Sequence, residues 1–213
     1  MRKYVFTTGE FYHIYSHSIG DLVLFRSNRD HERFLSTLFS ANGKRDIAHL
    51  ERFPGLNLVW DIRDGKVALG DNFVDIIGFC LMPTHFHLIL QEKSDGNISY
   101  FMHRALVSYA KYFNLKYERR GHVFERTFNA KHLSDTDYLM RALAYVHLNP
   151  KGLNDWKKRE HKYQWSSFQD YISENRWGKL LATGFALEYC DNDKKEYFKF
   201  VKGARSDDEY VPN

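Results

Sequence analysis

VDIIGFCLMPTHFHLILQ, residues 74–91, decides how this chain is read. Two apolar runs, Val74 to Met82 and His85 to Gln91, are split by Pro83, which has no N–H to give to a sheet and so marks a boundary or an edge. The second run alternates, with His85 and His87 on one face and Phe86, Leu88 and Leu90 on the other. One face is suited to packing and the opposite one to chemistry. Two neutral imidazoles at this spacing have Cβ atoms about 7 Å apart and can converge on one metal ion. The spacing does not settle the matter, because such a pair is more often two half-buried strand histidines. A metallo-hydrolase of the HxHxDH type would need Asp-His just downstream, and Leu88, Ile89 and Leu90 stand there instead.

Working outward, Glu10 to Ser18 reads as a strand, with Phe11, His13 and Tyr15 alternating against Tyr12, Ile14 and Ser16. A helix is expected over Asn28 to Ala41, with Phe34, Leu35, Leu38 and Phe39 on its apolar face and Asn28 or Asp30 as cap. Turn residues punctuate Gly43 to Asn72, which reads as an excursion, with Leu58 to Ile62 as a short strand. Beyond Asp95-Gly96, an amphipathic helix from Asn97 to Tyr117 presents Ile98, Phe101, Met102, Ala105, Leu106, Tyr109 and Phe113 on one face and is stopped by Gly121. His122 to Leu133 reads as a strand. Ser134 and Asp137 have capping-box spacing for a helix that ends at Asn149-Pro150.

This order predicts an α+β fold in which an antiparallel sheet carries helices mainly on one face. One principal domain is expected over residues 1–175, with the possible excursion at 43–72 inside it. Residues 176–213 form a C-terminal extension, helical near Tyr189 to Val201 and loose over the last ten residues.

No stretch is apolar for long enough to cross a bilayer, and MRKYVFTTGE lacks the apolar run of a secretory signal, so a cytoplasmic protein is expected. Cys80 and Cys190 are too few for a disulfide framework or a thiolate zinc site. A formal charge of +4 is too mild an excess to identify a nucleic-acid partner. The aromatic content of 16% is high, and rings among cations can stack on unpaired bases, although filling a core is the commoner use.

On the helix from Asp135, Leu139, Ala142, Leu143 and Val146 form the apolar stripe. Tyr145 and Asn149 lie on its shoulder, one turn apart on the same side. A phenol and an amide oxygen are thereby offered to one small volume. An amphipathic packing tyrosine is the ordinary alternative.

Taken together, LMPTHFHLIL around His85 and YVHLNP from Tyr145 resemble the single-tyrosine HUH transposases of the insertion-sequence and REP-associated type. The resemblance runs from about Glu10 to Tyr171 and takes in FYHIYS, SYAKYFN, GHVFERTF and YQWSSFQDY. It implies a ferredoxin-like HUH fold that cuts single-stranded DNA, often beside a hairpin, and leaves a 5′-phosphotyrosine and a free 3′-OH. It also implies His85 and His87 as metal ligands, Asn149 as the third ligand, Tyr145 as the nucleophile, and Mg²⁺ or Mn²⁺ as the cofactor. The expected partner is single-stranded DNA with a hairpin, held by a monomer or homodimer without a membrane. Thr84 where Asn is usual, a short NPKGLND run and a long Gly43 to Asn72 segment depart from the family pattern.

Tyr109 is the competing nucleophile, since it too follows the histidine pair on a helix, but its place in the stripe Phe101, Ala105, Tyr109, Phe113 suits core. Arg119, Arg120, Arg126 and Lys131 are candidate phosphate contacts for a hairpin, or else a solvated face. Trp165 and Phe168 either cap the core, the favoured reading, or stack a base. Two other readings compete with the enzyme: a domesticated, non-catalytic binder of hairpin DNA or RNA, and a metal-dependent hydrolase of small phosphoesters.

Overall fold

A computed structural model describes residues 5–20, 22–47 and 49–204. Its centre is a four-stranded sheet in the order β2-β3-β1-β4, built from β1 (Phe11–His17), β2 (Val74–Met82), β3 (His85–Glu92) and β4 (Asn129–Leu133). Every neighbouring pair is antiparallel.

Register sorts the side chains, because residues directly opposite one another share a face. Tyr15 and Cys80 lie opposite His87, His17 and Met82 opposite His85, and Lys131 opposite His13. His13, Tyr15, His17, Cys80, His85, His87 and Lys131 therefore occupy one face. Tyr12, Ile14, Phe79, Phe86 and Leu88 occupy the other.

Helices α1 (Asn28–Ala41) and α3 (Asn97–Lys116) cover that second face: the Phe34 ring lies 5.1 Å from Phe86 and 5.0 Å from Tyr109. The expected packing on one face describes this pair. Helix α4 (Thr136–Leu148) crosses the histidine face, where the bare backbone of Gly78 admits Leu143; a Cβ at Gly78 would lie 2.4 Å from Leu143 Cδ1.

The outer edge of β2 is sealed by later chain. Leu81 N–H donates to Trp165 O (2.9 Å), Ser167 N–H to Phe79 O (3.0 Å) and Ala182 N–H to Ile76 O (2.8 Å).

Local chemistry differs from expectation in several places. Ser27, not Asn28, precedes α1, and Asp30 reaches back to accept from Ser27 N–H (2.9 Å) and Arg26 N–H (3.0 Å). Asp135 caps α4 by accepting from Tyr138 N–H (2.8 Å) in place of the Ser134 arrangement. Leu58 to Ile62 is not a strand but part of helix α2 (Asn57–Arg63), which buries Leu58, Val59 and Ile62, a spacing a short apolar run leaves ambiguous. Of His122 to Leu133 only Asn129–Leu133 pairs as a strand; before it, Ser18 meets Phe124 in a single bridge and the chain leaves the ladder.

Helix α5 (Phe168–Ile172) packs with α7 (Lys194–Gly203). The helix expected over Tyr189 to Val201 begins only at Lys194, as α7; α6 (Gly184–Glu188) ends before that span, and between the two Asp191 and Asn192 adopt left-handed φ of 52° and 58°. Trp177, Tyr197 and Val201 are nonetheless buried. Of the last ten residues only Ala204 is among those described, so the expectation of a loose end lies outside the described residues, as do the first four positions of MRKYVFTTGE. Among the described residues no helix is long and apolar enough to cross a membrane.

Candidate active site

His85 opens β3 directly after the Pro83-Thr84 turn, and His87 follows on the same face, covered by α4. Tyr145 sits in the last turns of that helix, its ring edge-on to His87 with centroids 5.5 Å apart. Asn149 follows α4 with φ −52° and ψ −37°, so the helical path continues into a 3-10 turn that runs through Pro150. A proline normally disfavours this conformation in its predecessor. Here it keeps Asn149 one turn beyond Tyr145, with Asn149 Oδ1 3.3 Å from His85 Nε2. The Asn149 side chain also hydrogen-bonds the Tyr145 phenol. The two histidines, the tyrosine and the asparagine, far apart in sequence, thus meet within one chain.

Burial sets the electrostatics. It lowers the His85 pKa to about 4, with nearby His17 adding to the effect and the Asn149 contact opposing it. Burial, followed by the neighbouring His13, His85 and His17, holds His87 well below the usual histidine range. Both imidazoles are therefore neutral at neutral pH and keep lone pairs for a ligand. Burial raises the Tyr145 phenol above its ordinary value, an effect partly offset by Asn149. The tyrosine is thus no spontaneous phenolate.

A divalent cation fits this donor set. His85 Nε2 and Asn149 Oδ1 approach one another, and His87 has Nδ1 engaged by His13 Nε2 at 2.9 Å, which would leave Nε2 as the nitrogen to hold an ion. The donors are two neutral nitrogens and one amide oxygen. Among the described residues no group of three or more His, Cys, Asp or Glu is arranged to hold a metal, so an ion here would depend on the asparagine and on a phosphate to complete its shell.

Tyr109 is placed elsewhere. It is fully buried beneath the opposite sheet face and donates to Leu24 O at 2.7 Å. Of the predicted phosphate-binding cations, Arg119, Arg120 and Arg126 lie in the connection between α3 and β4, and Lys131 in β4 itself. Lys131 lies on the histidine face, its Nζ 5.5 Å from the centroid of the Tyr138 ring. Arg119 lies over Phe113 of α3, Arg120 is exposed beyond it, and Arg126 lines a groove of about 780 Å³ between α3 and residues 121–129. Trp165 stacks flat on His31, centroids 4.4 Å apart, with Phe25 on the far side of His31.

Sequence reasoning assigned no role in the site to His13 or His17, although His13 could face the same sheet surface, and took Thr84 only as a departure from the family pattern. His13 contacts His87, His17 stacks on His85 at 4.7 Å, and Thr84 Oγ1 lies 3.2 Å from His85 Nδ1. Strand alternation already put His13 and His17 on a common face; only the register of β1 on β3 made that face the one with the histidine pair.

No curated protein matches the chain. Residues 66–149 match the family model described as "Transposase IS200 like". Among solved structures, the chain is similar to a REP-associated tyrosine transposase bound to a REP hairpin, with a TM-score of 0.58 at 13% sequence identity, over 85% of this chain and 90% of that one. The matched family segment ends on Asn149 and contains His85, His87 and Tyr145. Residues 66–149 are thus similar to the IS200-like transposase family, and the chain shares the α+β fold of a REP-associated tyrosine transposase.

Proposed function

We propose that this protein nicks and rejoins single-stranded DNA beside a hairpin through a covalent bond between Tyr145 and a 5′ phosphate. The observation that carries the reading is the convergence of His85, His87, Asn149 and Tyr145 in one small volume. The family match and the hairpin held by the structurally similar protein support a hairpin DNA partner.

In this reading His85, His87 and Asn149 hold Mg²⁺ or Mn²⁺, and two nitrogen donors suit Mn²⁺ better than Mg²⁺. When bound, the ion supplies Lewis-acid neutralisation of charge on a non-bridging phosphate oxygen. The Tyr145 phenol gives up its proton as its oxygen attacks the phosphorus. The P–O3′ bond breaks, and the leaving oxygen departs with the electron pair and takes up a proton to become a free 3′-OH. Asn149, on the phenol, orients it for attack. A phenol whose free pKa is near 10 is a tolerable leaving group, so another 3′-OH can reverse the step and rejoin the strand. Residues 1–175 would form the transposase domain, with the segment from 176 as an extension buttressing it: Tyr197 OH lies 2.8 Å from His147 Nδ1 on α4.

The test is to incubate Mn²⁺-loaded protein with single-stranded DNA bearing a hairpin and to resolve products on a denaturing gel. A covalent protein–DNA band that disappears in Tyr145→Phe is expected. A band that persists in Tyr145→Phe would overturn the assignment of the nucleophile, and tight hairpin binding with no band in the unaltered protein would favour a non-catalytic binder.

A further inference from the structure

We infer that His13 is a positioning residue of this site, accepting a hydrogen bond from His87 Nδ1–H and so holding His87 in the tautomer whose Nε2 carries the lone pair. The inference rests on the reading of His87 as a metal ligand and deepens it.

His13 Nε2 and His87 Nδ1 are 2.9 Å apart, and the rings stack at 26° with centroids 5.0 Å apart. His13 is fully buried at the floor of the site, opposite Lys131 on β4, and its ring is 6.0 Å from that of Tyr145. A single proton lies between the two facing nitrogens, because at 2.9 Å one ring nitrogen donates and the other accepts. That proton belongs to one ring or the other. With the proton on His13, His87 would carry its own on Nε2 and have no lone pair left for an ion. With the proton on His87 Nδ1, its Nε2 is bare and the ring is fixed about its side-chain torsions by the bond to His13.

Thr84 occupies the corresponding nitrogen of His85, at 3.2 Å. Its hydroxyl can swivel to donate or accept and leaves the tautomer of His85 open, so His13 is the more restrictive of the two partners. A partner of this kind typically changes metal affinity by about 10- to 100-fold.

Two measurements on the full chain test the assignment. Nitrogen-15 NMR of the histidine rings in metal-free protein is expected to show His87 protonated on Nδ1; protonation on Nε2 would overturn the proposal without any variant being made. Calorimetric Mn²⁺ titration is expected to show affinity lowered by about 10- to 100-fold in His13→Leu. In His13→Gln, whose amide oxygen can take the place of Nε2 as acceptor, affinity is expected to return to within about tenfold of the unaltered protein. Unchanged Mn²⁺ affinity in a folded His13→Leu, alongside lost binding in His87→Ala, would overturn the role of His13 and leave the ligand reading standing. Unchanged affinity in His87→Ala would remove both.

Discussion

At Asn149 two local signals compete, the run of α4 and the proline that follows it. The helical path wins, and with it the amide stays beside both Tyr145 and His85. Asn149→Ala is expected to lower the rate of covalent adduct formation by at least about tenfold, because in the proposed mechanism one side chain serves the metal and the nucleophile together. Thermal unfolding should be little changed, since the residue is only half-buried. Tyr109 gives the opposite outcome. Tyr109→Phe leaves Leu24 O without its buried donor and is expected to cost about 1–3 kcal/mol in denaturant unfolding, with adduct yield per folded molecule unchanged. The two tyrosines look alike as helix residues after a histidine pair. What separates them is the sheet face each meets, which depends on how distant segments pack.

Among the elements, β2 and α4 are the pair whose approach builds the site. The register of β2 on β3 shifts between Ile76 and Gly78, and α4 rests on the bare backbone there. Leu143 is fully buried and has little room to yield. Gly78→Ala is therefore expected to destabilise the chain by about 1–3 kcal/mol through overpacking and to move Tyr145 away from His87, lowering adduct yield. Adding Leu143→Ala should restore much of that yield; a double variant as inactive as Gly78→Ala would show that the contact does not set the position of α4. The longer elements were legible from periodicity, as in β2, β3, α1, α3 and α4. Helix α2 was not, because seven residues hold too few turns to distinguish a helix from a buried strand. The early part of His122 to Leu133 has strand composition, but it meets only a single bridge at Ser18, just beyond β1, so the ladder starts only at Asn129.

Across the whole molecule, buried neutral histidines link stability to pH. Burial lowers His147 to about 3 and His31 to about 4, the latter against the opposing Ser27 carbonyl and Asp30. The unfolded chain, with histidines near 6.5, binds these protons first as pH falls. Their folded-state advantage is complete above about pH 6.5 and is lost progressively below it, down to the folded values. Each should cost about 2 kcal/mol of stability at pH 5 relative to pH 7.5, read from urea midpoints in the presence of EDTA. His31→Phe preserves a ring between Phe25 and Trp165 and should lose about 2 kcal/mol less over that range. An equal loss in both proteins would show that His31 titrates normally. Asp30 acts at lower pH. Its burial alone would raise its pKa, but bonds from Lys116, Tyr117, Ser27 and Tyr112 hold the carboxyl below its usual value, so its contribution is present above about pH 4 and lost as pH falls through the folded value.

The amino-acid sequence by itself determined that His85 and His87 share a strand face and that Tyr145 and Asn149 share a helix face, because strand alternation and the helical turn act over a few residues. It also placed an apolar surface opposite the histidines, ready to receive helices. Only the tertiary structure decided that the two pairs meet, that His13 and His17 join them, that Tyr109 lies on the far side, and that Arg119 and Lys131 part company. Those outcomes depend on the register of β1 against β3 and β4 and on the seat of Leu143 over Gly78, which couple residues separated by long stretches of chain through close packing.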